Sequence, residues 1–196
     1  MGESPSRRPD LDDVTLVARA QDGDVIAFER LVDRYQGPLF RLALRMLRDR
    51  GAAEDVVQDA LVTVWRQVAG LSDPAAFPRW VYQITTRTTL NRLRARDRRP
   101  TDPADPELLD QDQHNRGHGA DLRDPATLTE ERATATALRA QIEQLPEDLR
   151  LCWTLYADHG RSYEEIADIV GVTHGTVRGR IARARQKLAE GMTPWR

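Results

Sequence analysis

The sequence predicts an all-α protein, two small helical domains joined by a flexible acidic linker. Three observations carry that expectation. Apolar residues recur at helical spacing over 11–98 and again over about 128–188, with no strand-like alternation and no internal repeat. Aromatic residues make up only 6% of the chain and charged residues 31%, a composition of amphipathic helices rather than of packed sheets. Between the periodic stretches lie Pro100, Pro103, Pro106 and Pro125, two glycines and scattered acids, a composition that favours a mobile linker. The 196 residues are thus expected to divide into a tail over 1–10, a domain over 11–99, a linker over 100–127 and a second domain over 128–196.

Within the first domain, Asp10, Asp12 and Asp13 precede Leu16, Val17 and Ala20, which places carboxylates at the positive end of a first helix. A second helix is expected over 25–47, where Phe28, Leu31, Tyr35, Leu39, Leu42 and Leu47 keep an apolar stripe and Pro38 predicts a kink. Gly51 is expected to break it. A third helix follows over 54–69, then a turn rich in proline, serine and aspartate over 70–78, then a long helix over 79–98.

Composition also limits the function. No stretch approaches the ~18 apolar residues that cross a bilayer, and 1–10 lacks the apolar centre of a signal peptide; the expected location is the cytoplasm, without stable membrane insertion. The single cysteine, Cys152, stands among apolar neighbours and reads as a buried, inert thiol. His114, His118, His159 and His174 are scattered, and no phosphate loop, metal-ligand spacing or nucleophile–base set appears. The expectation is no catalytic residue, no metal and no cofactor.

The net charge of −2 conceals a segregation. Six arginines face one acid over 87–99, nine acids face two arginines over 101–131, and five cations face no acid over 175–187. Two basic blocks flanking an acidic one predict two nucleic-acid contacts on one chain.

The second block lies in a helix-turn-helix pattern. Ser162 caps a short helix with Ile166, Ala167 and Val170 inward, Gly171 ends it, and Thr173 caps the next. On that next helix Val177, Ile181, Ala184 and Leu188 form one stripe. Thr176, Arg180, Arg183 and Lys187 are expected on another face, with Arg178 and Arg185 on its flank. A cationic face beside a packing stripe suits the major groove, with arginines on phosphates by default.

Two features of the first domain point beyond packing. On the helix over 54–69, Val57, Ala60, Leu61 and Val64 make a core face, while Asp55, Gln58, Asp59 and Arg66 lie opposite together with Val62 and Trp65. An exposed valine and tryptophan among acids predict a protein-binding patch; the competing reading folds Trp65 back on its own core. Further on, Phe77, Trp80 and Tyr82 precede the first arginine block, an adjacency suited to unstacked bases and their backbone. Taken alone, such aromatics more often belong to a core; their adjacency to the arginines points the other way.

These motifs resemble the extracytoplasmic-function sigma factors, the smallest members of the sigma-70 family, over about 14–99 and 138–190. The strings AFE over 27–29 and AEDVVQDALVTVW over 53–65 resemble the helix that grips the clamp helices of the polymerase largest subunit, which implies contacts from Asp55, Gln58, Asp59, Val62 and Trp65. The segment opening at Phe77 is similar to the family's minus-ten segment, implying Trp80, Arg87, Asn91 and Arg94 as its DNA-binding residues. LPEDLR over 145–150, YEEIA over 163–167 and GTVRGRIARAR over 175–185 resemble the minus-thirty-five-binding domain. There the implied contacts are Thr173, His174, Thr176, Arg178, Arg180, Arg183 and Lys187. The resemblance further implies core RNA polymerase as partner through its clamp helices and upstream-facing flap, promoter DNA, a linker threading the polymerase channels, and control by an anti-sigma factor. Three positions depart from the pattern. Arg87 stands where asparagine is common, Asn91 where aspartate is common, and Gly179 where serine is usual. Two other functions fit parts of the sequence: a homodimeric helix-turn-helix regulator, and a helical adaptor binding proteins alone.

Overall fold

The structure, a computed structural model, describes residues 11–98 and 125–192. Eight helices follow in order: α1 (Asp13–Gln21), α2 (Val25–Leu47), α3 (Arg50–Gln67), α4 (Phe77–Asp97), α5 (Pro125–Gln144), α6 (Glu147–Ala157), α7 (Tyr163–Val170) and α8 (His174–Gly191). Two short 3-10 turns, Val68–Gly70 and Pro74–Ala76, link α3 to α4. The described residues contain no strand. Most of the expected linker, the tail over 1–10 and Trp195 lie outside the described residues.

Local chemistry sets most boundaries. Asp12, Asp24 and Asp49 each accept a backbone N–H three residues on, capping α1, α2 and α3. Gly51 does not break the chain; it sits in the first turn of α3. The break is made by Arg48, left-handed at φ 56°, followed by the Asp49 cap. Helix α2 continues past Pro38, and α4 begins at Phe77 because Pro78 fits a first turn, where its missing N–H has no partner to lose. Helix α5 is already under way at Pro125, inside the expected linker. Helix α7 carries the full capping box, Ser162 and Glu165 each bonding the other's backbone N–H, and ends at Gly171 with φ 74°.

Helices α1–α4 wrap a core of Leu16, Leu31, Leu39, Leu42, Met46 and Phe77, each at most 1% exposed; burying a side chain of that kind contributes ~1.5–3 kcal/mol. Helices α6–α8 enclose Leu155, Ile166, Val177 and Ile181, while Ile142 of α5 and Leu145 just beyond it cover Ala184 and Leu188 on α8. Cys152 is fully buried, and burial pushes its thiol pKa up, as an inert packing residue requires.

The two halves do not stand apart. Helix α4 packs on α7 and α2 on α6, so their cores merge into one apolar cluster.

Candidate functional surfaces

Three faces emerge from this packing. The first is on α3. Burial of Ala53, Val56, Val57, Ala60 and Val64 turns Asp55, Gln58 and Asp59 to solvent, with Val62 47% and Trp65 39% exposed beside them. Trp65 does not fold into the core; its ring lies against Phe28, centroids 4.7 Å apart, and leaves its outer side open. Arg92 approaches Asp55 at 3.5 Å, but both side chains are more than half exposed, and such a pair contributes little.

The second face runs along α4. Phe77 and Tyr82 are buried at 1% and 3%, so they serve the core and are closed to bases. Phe77 stands four residues before Val81 and Tyr82 three before Thr85, both partners also buried, and that helical spacing is the signal that separates them from Trp80. Trp80 keeps a partly exposed edge over a hollow of about 620 Å3 shared with Arg66, Leu71 and Asp73. Further along, Arg87, Asn91 and Arg94 are exposed and line a cleft of about 290 Å3 whose opposite wall is the α7 segment over 168–171. Much of the remaining arginine block is structural. Arg96 donates to the Leu47 carbonyl at the end of α2, and Arg98 to the Arg94 carbonyl of its own helix.

The third face is α8. Val177, Ile181, Ala184 and Leu188 form the buried stripe that the periodicity predicts. Arg178, Arg183 and Lys187 stand in solvent without a carboxylate partner among the described residues, Arg183 also donating at 3.3 Å to the Gly179 carbonyl of its own helix. Thr173 spends its hydroxyl on the helix cap and on Thr176, 2.9 Å away. His174 lies by the Tyr163 ring and 3.3 Å from Glu164. Arg180 departs from the expected outward face. Its guanidinium pairs with Asp148 of α6 at 3.2 Å and its side chain is only 19% exposed. At 100° per residue Arg180 stands only about 60° from Val177, near enough for its stem to follow the packing stripe. Arg185 is also partly committed, donating to the Tyr156 hydroxyl and lying over its ring. Gly179 has open space where a Cβ would stand.

No described helix is long and apolar enough to cross a membrane, and no described cluster could hold a metal ion.

An exposed acid-and-tryptophan patch, a cleft edged by arginines and a capped cationic helix occur in one order along one chain. The sigma-70 region 2 family model matches residues 31–99 and the sigma-70 region 4 model residues 135–188, so the first two faces fall in one region and the third in the other. The chain is a transcription initiation factor of the sigma-70 family. More narrowly, it belongs to the extracytoplasmic-function RNA polymerase sigma factors. It is 37% identical to the RNA polymerase sigma-H factor of Pseudomonas aeruginosa, over 93% of this chain and 94% of that protein. It is equally 37% identical to the ECF RNA polymerase sigma-E factor of Escherichia coli, over 94% and 96%. Among solved structures, CnrH in complex with the cytosolic domain of CnrY superposes with a TM-score of 0.64 at 26% identity, covering 91% of this chain and 95% of that one. The sigma factor RpoE in complex with the anti-sigma factor NepR from Bartonella quintana shares the fold, with a TM-score of 0.63 at 24% identity over 86% of this chain. As a member of this family the protein binds core RNA polymerase and promoter DNA and directs initiation at promoters with minus-ten and minus-thirty-five elements.

Proposed function

We propose that the three faces divide the work of initiation as follows. The α3 patch of Asp55, Gln58, Asp59, Val62 and Trp65 holds the clamp helices of the polymerase largest subunit, the aromatic and valine supplying buried area and the acids its orientation. The α4 face takes the minus-ten element as a melted strand: Trp80 offers an edge for an unstacked base, while Arg87 and Arg94 hold phosphate and Asn91 reads a base edge. Helix α8 enters the major groove of the minus-thirty-five duplex with its N-terminal turn, Thr173, His174 and Thr176, while Arg178, Arg183 and Lys187 hold the backbone. The second half also meets the upstream-facing flap of polymerase.

The protein acts in the cytoplasm as a dissociable polymerase subunit and is not itself a catalyst. An anti-sigma factor controls it, as the complexes of structural neighbours with regulatory chains suggest. The observation that carries this reading is the exposure of Val62 and Trp65 on the half opposite the cationic helix. A DNA-binding dimer has no need of that patch. The test supplies core polymerase, this protein and a promoter library. Specific transcripts that require the protein are expected; duplex binding without any polymerase-dependent transcript would replace the reading with that of a stand-alone regulator.

A further inference from the structure

The hollow beside Trp80 has three walls, and they are not held alike. One is the end of α3, Arg66 and Gln67, fixed by the buried Val64 and Val68. Another is Trp80 of α4 with Ala76 before it, fixed by the buried Phe77 and Val81. The third is the connecting segment of Gly70, Leu71, Ser72 and Asp73. None of these four residues lies in an α-helix, and of the four only Leu71 is partly buried. Gly70 and Ser72 carry little side chain, so the backbone itself shapes this wall.

That backbone is held from another part of the fold. Gln21, in the last turn of α1, donates its side-chain amide to the Val68 carbonyl at 3.0 Å and to the Leu71 carbonyl at 2.7 Å, across 47 and 50 residues of chain. Both acceptors are carbonyl oxygens, so only the amide nitrogen fits there, and both of its hydrogens are spent. The Val68 carbonyl also accepts the Leu71 N–H at 3.1 Å, closing a turn around residues 69 and 70. Gln21 therefore fastens both ends of that turn at once.

The anchor is firm. Leu16, Val17 and Ala20 bury the inner side of α1, and α1 packs against both 3-10 turns of the connection. Just beyond Gln21, Asp24 caps α2 and pairs with Arg19 of α1, which fixes the corner between the two helices. Gln21 itself does not line the hollow. Without its amide, two part-buried carbonyls have to turn towards water, and the turn between them moves with them.

We propose that Gln21 is a positioning residue for the minus-ten strand: from behind the connecting segment it sets the third wall of the hollow, and with it the seat of an unstacked base beside Trp80. This rests on the reading of α4 as the face for the melted strand. The hollow touches DNA, and Gln21 acts through the backbone that it holds.

The test uses holoenzyme, core polymerase with the full chain, and single-stranded minus-ten DNA from which one base at a time is removed to leave an abasic site. With the wild type, one position is expected to lose about tenfold in affinity without its base, the scale of one base–aromatic stack, and Trp80→Ala to erase that penalty. Gln21→Met keeps the reach of the side chain and removes both donors. Gln21→Glu keeps its shape and turns oxygen towards both carbonyls. Each is expected to bind the intact strand about tenfold more weakly and the abasic strand as the wild type does, which shrinks the penalty below about twofold. Affinity for core polymerase and for minus-thirty-five duplex should not change. A merely structural weakening would lower both strands alike and keep the penalty; that result overturns the proposal, and so does wild-type binding by both variants. Should one variant fail to fold, the other gives the same readout. If the wild type shows no penalty at any position, the reading of α4 fails and Gln21 loses its role with it. If Trp80→Ala erases the penalty and the Gln21 variants keep it, that reading stands and the role of Gln21 alone is overturned.

Discussion

The two basic helices look alike in sequence and differ in use. Each carries a run of cations near its C-terminal part, yet α8 presents Arg178, Arg183 and Lys187 to solvent while α4 commits Arg96 to the end of α2 and Arg92 to a loose pair with Asp55. In α8 the inward cation is Arg180, absorbed by Asp148. Charge counting therefore overstates α4 as a nucleic-acid surface more than it overstates α8. The α4 face is also flanked by α7, whereas the cationic side of α8 is open. A cation taken by a carboxylate, or by a carbonyl of another helix, is less available to DNA than one left in solvent.

The largest effect that would sharpen this contrast comes from α8. Replacing Arg178, Arg183 and Lys187 together by alanine is expected to weaken duplex binding on the order of fiftyfold and to reduce the slope of log affinity against log salt by about 2.7. An unchanged slope in a folded variant would move the groove contact elsewhere. Arg180→Ala should behave differently, costing ~1–2 kcal/mol of stability, or roughly 3–6 °C in Tm, through loss of its contact with Asp148. Its salt slope should stay at the wild-type value; a Tm unmoved alongside a lost base preference would return Arg180 to the DNA face.

Gly179→Ala tests the same helix with the opposite sign. A Cβ there meets nothing, so the helix should gain up to ~1 kcal/mol. If the glycine lets the duplex approach the backbone, affinity should fall even as Tm rises. A gain in both would leave Gly179 without a role in binding.

The smallest expected effect is a pH dependence confined to the α4 side. Burial, followed by the charges of Arg41, Arg161 and Arg45, holds the His159 pKa down to about 4. Tyr82 faces the ring from α4, and Asp158 and Glu165 pair with Arg45 and Arg161 around it. The contact of His159 with Tyr82 requires neutral imidazole, whereas the unfolded chain protonates it near 6.5. The packing of α4 on the second half is therefore fully supported above about 6.5, weakens as pH falls from there towards about 4, and loses nothing further from this group below that. The difference in melting between wild type and His159→Gln should show that window, and duplex binding by α8 should not follow it.

Much of this was legible from residues alone. The bounds of α2, the Ser162, Gly171 and Thr173 punctuation of the helix-turn-helix, and the outward Val62 and Trp65 all follow from period and capping chemistry, which act over a few residues. The Gly51 expectation failed because Arg48 adopts a left-handed conformation and Asp49 is a strong cap, a pair that outweighs a nearby glycine. Arg180 was misplaced because a long side chain can leave the face its Cα suggests. The packing of α4 on α7 was invisible: Tyr82 and His159 are 77 residues apart, and nothing in either neighbourhood signals the other.

The central claim is that this chain works through polymerase, and the α3 patch tests it most directly. Fluorescence titration of core polymerase with the wild type and with Gln58→Ala, Trp65→Ala should show binding weakened by ~2–4 kcal/mol in the double variant, with helical content and duplex binding unchanged. Equal affinity of the two proteins for core polymerase would contradict the account, because the exposed valine and tryptophan would then have no partner to explain them.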